Sequence, residues 1–307
     1  MSSRDELQAA EGVIRVPLSI VNAYLVGPSR AGDRGWVLVD AGLSFSSGAI
    51  VAAAANAFGA KSRPAAIVLT HGHFDHVGSL EALAEAWDTP VYAHQLEMPY
   101  LTGRADYPPP DPAVGGGAMA WLSPLYSRRG LNLGNRVRPL PDGGVVPCMP
   151  GWRWIHTPGH TPGHVSLFRD TDRVLIAGDA FVTTKQESFF AALFKPEVVH
   201  GPPAYFTSDW DAARSSVRTV AQLSPDVAAT GHGVPMRGNR LRRELNRLAQ
   251  NFDRIALPAD GRYVRRPAVA DNNGVLFVPP AVFPPAAVLL AVGAGFATGA
   301  LSRPTQS

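Results

Sequence analysis

The chain has 307 residues, 46% of them hydrophobic and 17% charged, so it can bury a substantial core and is not disordered by composition. Lys+Arg 28 against Asp+Glu 25 leaves a net charge of +3, and only three of those cations are lysines (Lys61, Lys185 and Lys195), which gives nucleic-acid binding no support. A single cysteine, Cys148, excludes an internal disulfide framework or a cysteine-rich zinc module, and MSSRDELQAAEG lacks the basic-then-apolar pattern of a secretory signal; a reducing, cytoplasmic setting is the expectation.

In chain order, Gly35–Gly42 (GWVLVDAG) reads as a buried strand ending at a turn, followed by an Ala-rich helix over about Gly48–Phe58. Ala65–Thr70 is a second strand, Leu80–Trp87 a short helix and Val91–Ala93 a third strand. Residues 99–150, punctuated by Pro108–Pro110, Gly115–Gly117 and Asp142–Gly144, read as a long irregular insertion or lid. Trp152–His156, Val165–Phe168, Val174–Ala177 and Val227–Thr230 have strand composition. Asp209–Leu223 has helical spacing, and Leu241, Leu245, Leu248, Phe252 and Ile255 form one apolar stripe. This pattern predicts one folded domain over 1–257, then a basic link and an apolar tail over 258–307.

The histidines carry the chemistry. Thr70-His71-Gly72-His73-Phe74-Asp75-His76 follows directly on the strand AAIVLT. These four donors cannot share one face of a strand or helix, but a loop leaving a strand end can turn them toward a common point. Neutral imidazole and carboxylate suit zinc and other borderline divalent ions. Other strand ends offer more donors: His160 in Thr157–His164 (TPGHTPGH), Asp179 after VLIAG, and His232 after VAATG. Seven groups exceed one tetrahedral shell, whereas two ions bridged by a carboxylate would use them all.

The ordered set HxHxDH, PGHTPGH, Gly-Asp and Gly-His resembles the metallo-β-lactamase superfamily over roughly residues 12–235. The resemblance implies an α/β fold, a four-layer αββα sandwich, with its site at one edge of the paired sheets. It implies that His71, His73 and His160 hold one metal, that Asp75, His76 and His232 hold a second, and that Asp179 bridges them. Asp75 would also position or deprotonate the attacking water, while Asp40 in VLVDAG and His164 would support the ligands. The cofactors implied are two divalent ions, zinc first, with iron or manganese compatible with the same donors.

Asp179 stands where the commonest true lactamases carry cysteine, and His73 where flavodiiron proteins carry glutamate. The ligand set is that of hydroxyacylglutathione-hydrolase-like and lactonase-like members. The expected activity is therefore cleavage of an ester, thioester or lactone in a small molecule by a metal-bridged hydroxide, with no nucleic-acid partner. The competing readings are a mononuclear-iron enzyme similar to persulfide dioxygenases and a nucleic-acid-associated phosphodiesterase.

Lys185, Tyr205 and Tyr107 are the candidate substrate contacts, the lysine as a carboxylate anchor and the tyrosines as carbonyl polarisers on mobile loops. Arg237, Arg240, Arg242, Arg243 and Arg247 read as a solvated helix face. From Val275 to Leu301 no residue is charged. Four prolines break its first part, and Ala286–Leu301 would make a helix of about 24 Å, short of a ~30 Å hydrocarbon core. Within 284–301 a membrane anchor, a helix docked on the chain or on a partner, and a disordered tail all stay open. The short length favours docking, with weak membrane or self-association through the tail as the alternative.

Overall fold

The computed structural model describes residues 7–115, 117–184 and 198–282. Its first half is a seven-stranded sheet in chain order. The strands are β1 (Gln8–Ala10), β2 (Val13–Leu18), β3 (Val21–Val26), β4 (Val37–Val39), β5 (Ala66–Val68), β6 (Val91–Ala93) and β7 (Val137–Pro139). Strands β1 to β4 pair antiparallel and β4 to β7 parallel. Helices α1 (Ser47–Phe58), α2 (Phe74–Val77), α3 (Leu80–Trp87), α4 (Met98–Leu101) and α5 (Ala118–Leu122) lie between these strands in the chain.

The second half is a five-stranded sheet of β8 (Trp152–His156), β9 (Val165–Arg169), β10 (Val174–Gly178), β11 (Val227–Thr230) and β12 (Met236–Arg237). Strands β10 and β11 run parallel, and the other pairs are antiparallel. Helix α6 (Trp210–Gln222) connects β10 to β11, α7 (Gly238–Gln250) and α8 (Phe252–Ile255) follow β12, and a hairpin of β13 (Val269–Asp271) and β14 (Gly274–Phe277) comes last.

Three apolar layers hold these pieces. The inner faces meet through Val13, Tyr24, Val37, Val39 and Val68 from one sheet and Trp152, Val165, Leu167 and Ile176 from the other. Outside the first sheet, Ile50 and Ala54 of α1 and Leu80, Leu83, Ala84 and Trp87 of α3 pack on Leu25, Leu38 and Ile67. There Trp36 stacks on Phe58 with centroids 4.9 Å apart and meets Trp87 edge-on at 5.7 Å. Outside the second sheet, Val217 and Val220 of α6 and Leu241, Leu245 and Leu248 of α7 cover Phe168, Leu175 and Ala228. The result is the expected αββα sandwich.

Several elements differ from the sequence reading. The apolar stripe from Leu241 to Ile255 is two helices, because Asn251 leaves helical geometry (φ −125°, ψ 32°) between α7 and α8. The segment 99–150 is only partly an excursion. Its two ends belong to the core, with Tyr100, Leu101, Leu133 and Val146 buried and β7 closing the sheet edge against β6. The hairpin β13–β14 occupies part of the expected basic link. Lys185 and segment 284–301 lie outside the described residues. No helix among the described residues is long and apolar enough to cross a membrane.

Candidate metal centre

The carboxyl ends of the parallel strands in both sheets point to one edge, where α/β folds place their sites. β4 leads to Asp40, β5 to the loop carrying His71 and His73, β10 to Asp179 and β11 to His232. The turn between β8 and β9 adds His160. Asp75 and His76 sit on the short helix α2, which His73 opens. All seven donor residues are buried. They fall into three overlapping groups whose ligand atoms lie within 4.8 Å of one another: His71–His73–His160, His71–His76–Asp179 and Asp75–His76–His232.

Hydrogen bonds on the far ring atoms aim the near ones. His76 Nδ1 lies 2.9 Å from Asp40 Oδ2, so His76 Nε2 faces the centre, 3.5 Å from Asp179 Oδ2. His232 Nδ1 donates to Ile20 O at 2.6 Å, and its Nε2 stands 3.1 Å from Asp179 Oδ2 and 3.4 Å from Asp75 Oδ2. His160 Nδ1 is 3.3 Å from Thr207 Oγ1, and its Nε2 is 2.9 Å from His73 Nδ1 and 3.4 Å from Asp179 Oδ2. Asp40 also accepts from Thr70 N–H and Oγ1, each at 2.8 Å. It does so with φ at 58°, a left-handed conformation that costs a non-glycine residue about 1 kcal/mol or more. His164 Nε2 accepts the Asp179 backbone N–H at 2.8 Å, while its Nδ1 meets Thr157 Oγ1 at 2.8 Å.

The donor set fits divalent cations. His71 Nε2, His76 Nε2 and Asp179 Oδ1 are buried without a hydrogen-bond partner, a costly arrangement for polar atoms unless something else satisfies them. A Cβ at Gly231 would collide with Asp179 Oδ1 and come within 2.8 Å of His76 Cε1, so the space beside the carboxylate requires glycine. Burial holds the His71 and His160 imidazoles well below their usual range and His73 at about 3, which keeps them in the neutral, ligating form. At His76 and His232 burial acts downward, but the Asp179 charge, joined by Asp40 and Asp75 respectively, outweighs it and raises both. Asp179 is lowered in return: His232 and His76 overcome the upward effect of its own burial.

The candidate substrate residues are placed differently from the expectation of mobile loops. Tyr107 is buried; its ring stacks on Tyr100 at 4.0 Å and its hydroxyl donates to Glu97 Oε2, so it is engaged by a carboxylate inside the fold. Tyr205 is buried too, against Tyr126 and Phe206. His94 and His156 stack on each other outside the centre, with centroids 4.2 Å apart. Of the arginine group, Arg237 binds the Gln8 and Ala9 carbonyls, Arg240 meets Glu244, and Arg242 pairs with Asp226.

Two features escaped the sequence reading. Phe74, Tyr126 and Phe206 form an aromatic wall beside the ligands, Phe74 stacking on Tyr126 at 5.6 Å and Phe206 lying 4.6 Å from His73. Glu97, fully buried in the turn after β6, contacts two of the histidine loops. A charged residue inside the otherwise apolar stretch LEMPYL was its sole trace in the sequence.

A family model for the metallo-beta-lactamase superfamily matches residues 16–232, and the chain belongs to that superfamily. It is 47% identical over 249 residues to the probable metallo-hydrolase YflN of Bacillus subtilis (strain 168), covering 81% of this chain and 94% of the relative. A second relative in that organism, the probable metallo-hydrolase YybB, is 31% identical over 219 residues, covering 71% and 83%. Among solved structures, the fold is similar to a metallo-beta-lactamase family protein of Thermus thermophilus (TM-score 0.53, 23% identity, 79% of each chain). It is also similar to an archaeal superfamily member of Sulfolobus tokodaii (TM-score 0.52, 22% identity, 79% of this chain and 86% of that one). At these identities the two structures establish the shared fold.

Proposed function

We propose that the chain is a metal-dependent hydrolase that cleaves an ester, thioester or lactone bond of a small molecule at a dinuclear centre. The observation that supports this reading is the placement of Asp179 near both donor groups, His71–His73–His160 and Asp75–His76–His232, with His71 Nε2, His76 Nε2 and Asp179 Oδ1 buried and without a hydrogen-bond partner. Divalent ions held by these residues, zinc by preference and iron or manganese by the same donor chemistry, supply a water acidified toward neutral pH and an electrophile for a carbonyl oxygen.

The chain's own residues do the rest. Asp40 and Ile20 fix which nitrogens of His76 and His232 face the centre. His164 holds the backbone of Asp179. Asp75, 3.4 Å from His232 Nε2, orients the attacking water and takes its proton. The wall of Phe74, Tyr126 and Phe206 offers the substrate an apolar face and keeps bulk water from the reacting carbonyl. Donors for two ions favour this reading over a single-iron, persulfide-dioxygenase-like enzyme.

The test is a hydrolysis screen of the metal-loaded protein against lactones, thioesters, phosphodiesters and β-lactams, paired with elemental analysis. Turnover of an ester-type substrate that stops with a chelator and returns with added metal is the expected result. Turnover that survives thorough chelation, or that is confined to phosphodiesters, overturns it.

A further inference from the structure

Glu97 is a fully buried carboxylate that belongs to none of the donor groups, yet three of its four hydrogen bonds reach two of the loops that carry them. Oε2 accepts the Gly72 N–H at 3.0 Å and the Tyr107 hydroxyl. Oε1 accepts the Thr161 hydroxyl at 2.7 Å and the Gly163 N–H at 2.9 Å. Gly72 lies between His71 and His73, and Thr161 follows His160. All three histidines of one donor group therefore hang from segments tied to this side chain. None of these four bonds reaches the strand end that carries His232.

We propose that Glu97 is a positioning residue for the His71–His73–His160 site alone, a strut that sets the spacing of the two histidine loops before a cation arrives. The chemistry of the four partners supports this. All are donors, and a carboxylate is the side chain of this length that offers acceptors only. The approach is close: a Cβ at Gly163 would lie 2.8 Å from Glu97 Oε1, so the loop can come this near only with glycine there. The Tyr107 ring stands 4.7 Å from that of His73 and thereby couples the strut to a ligand through packing as well. Supporting contacts of this kind are worth roughly 10–100-fold in metal affinity where they have been removed.

Glu97→Gln is the discriminating variant. It keeps the volume and reach but puts an NH2 group where one oxygen was. Each oxygen accepts one backbone N–H and one hydroxyl. The hydroxyl can turn to accept, but the N–H of Gly72 or Gly163 is left facing a donor. Because the inference rests on the dinuclear reading, each site is measured separately by zinc competition against a chromogenic chelator. The His232→Ala background reports the His71–His73–His160 site, and the His160→Ala background reports the other. Cobalt absorption spectra are recorded in both.

The expected result is a loss of roughly 10–100-fold at the first site with an altered cobalt spectrum, and less than about 3-fold at the second. Thr161→Val and Tyr107→Phe, which each delete one donor and leave the carboxylate in place, should show smaller losses confined to the same site. Equal losses at both sites, or no loss at the first in any of the three variants, overturn the proposal. If Glu97→Gln does not fold, the two donor deletions decide in the same way. A parent protein that binds no zinc would instead overturn the dinuclear reading itself.

Discussion

The side chain of Asn22, on a strand of the first sheet, donates to the carbonyl of Thr230 in the second sheet at 3.0 Å and to that of Gly233 at 2.8 Å. The two acceptors flank His232. The Asn22 backbone N–H also binds Gly231 O at 2.7 Å, and Tyr24 adds its hydroxyl to Thr230 O at 2.7 Å. A donor residue on one sheet is thus held in place by side chains and backbone of the other.

Replacing that amide should therefore be felt at the metal and in folding. Asn22→Ala removes the side-chain donor to Gly233 O and the acceptor of Arg15 Nε, leaves Thr230 O with the Tyr24 hydroxyl, and should cost about 1–3 kcal/mol of stability. It should also weaken the site containing His232 more than the site containing His71. Denaturant unfolding and zinc competition measure the two effects; an unchanged midpoint and unchanged affinities would contradict the account.

Removing donors should separate the two positions. Asp179→Ala is expected to lower occupancy at both, because Asp179 Oδ2 lies near His160, His76 and His232 alike. His232→Ala should mainly empty one. Elemental analysis of fully loaded protein should give close to two ions per chain in the parent, about one in His232→Ala, and less than one in Asp179→Ala; equal content in all three would refute the shared role of Asp179.

The histidine environments set a pH dependence for the metal-free chain. Burial lowers His71 and His160 strongly and puts His73 and His164 at about 3. Below an unfolded value of about 6.5, the unfolded chain takes up protons that these folded groups refuse, so stability is lost as pH falls. His76 and His232 are raised, because nearby carboxylates outweigh burial. Their contribution is complete below about 6.5 and is lost as pH rises through their folded values. Calorimetry in chelator should show a melting temperature highest near pH 6.5 and falling on both sides. Saturating zinc should remove the alkaline limb, since the cation then replaces the protons on His76 and His232. A chelated protein whose stability climbs steadily to pH 9 would refute this.

The aromatic wall should govern substrate choice without governing metal content. Tyr126→Ala removes a half-buried ring stacked on Phe74 and should raise KM roughly 10-fold, about 1.4 kcal/mol. Trimming Pro108–Gly117 should act in the same direction. Steady-state kinetics with parallel metal analysis distinguishes this from a general loss of fold, in which metal and activity would fall together.

The donor loops were readable because each follows a short, continuous apolar strand, as AAIVLT precedes His71 and VLIAG precedes Asp179. Helix α3 was readable to the residue because Leu80, Leu83, Ala84 and Trp87 keep a strict helical spacing. Strands β1 to β3 gave weaker signals. Arg15 and Pro17 interrupt β2, and β3 is buried along its whole length with no alternation to detect. β7 was hidden in a Pro/Gly-rich stretch because three residues with an exposed arginine and proline resemble loop, and only pairing with β6 makes them a strand. Glu97 and Asn22 act across separations of 66 and 208 residues in Glu97–Gly163 and Asn22–Thr230, distances at which no local pattern survives.

The first sheet supplies His71, His73, Asp75 and His76, and the second supplies His160, Asp179 and His232. A cation at this edge is consequently a rivet through a seam between two half-shells. Binding at a thousand times its dissociation constant adds about 4 kcal/mol to the folded state, comparable with much of a domain's total stability. The consequence reaches beyond turnover number. A chain synthesised where divalent metal is scarce has this edge held only by hydrogen bonds such as those of Asn22 and Tyr24, and should be exposed to proteolysis for a larger fraction of its lifetime. Cellular abundance of the protein should then follow metal supply, with scarcity read first as a shorter half-life.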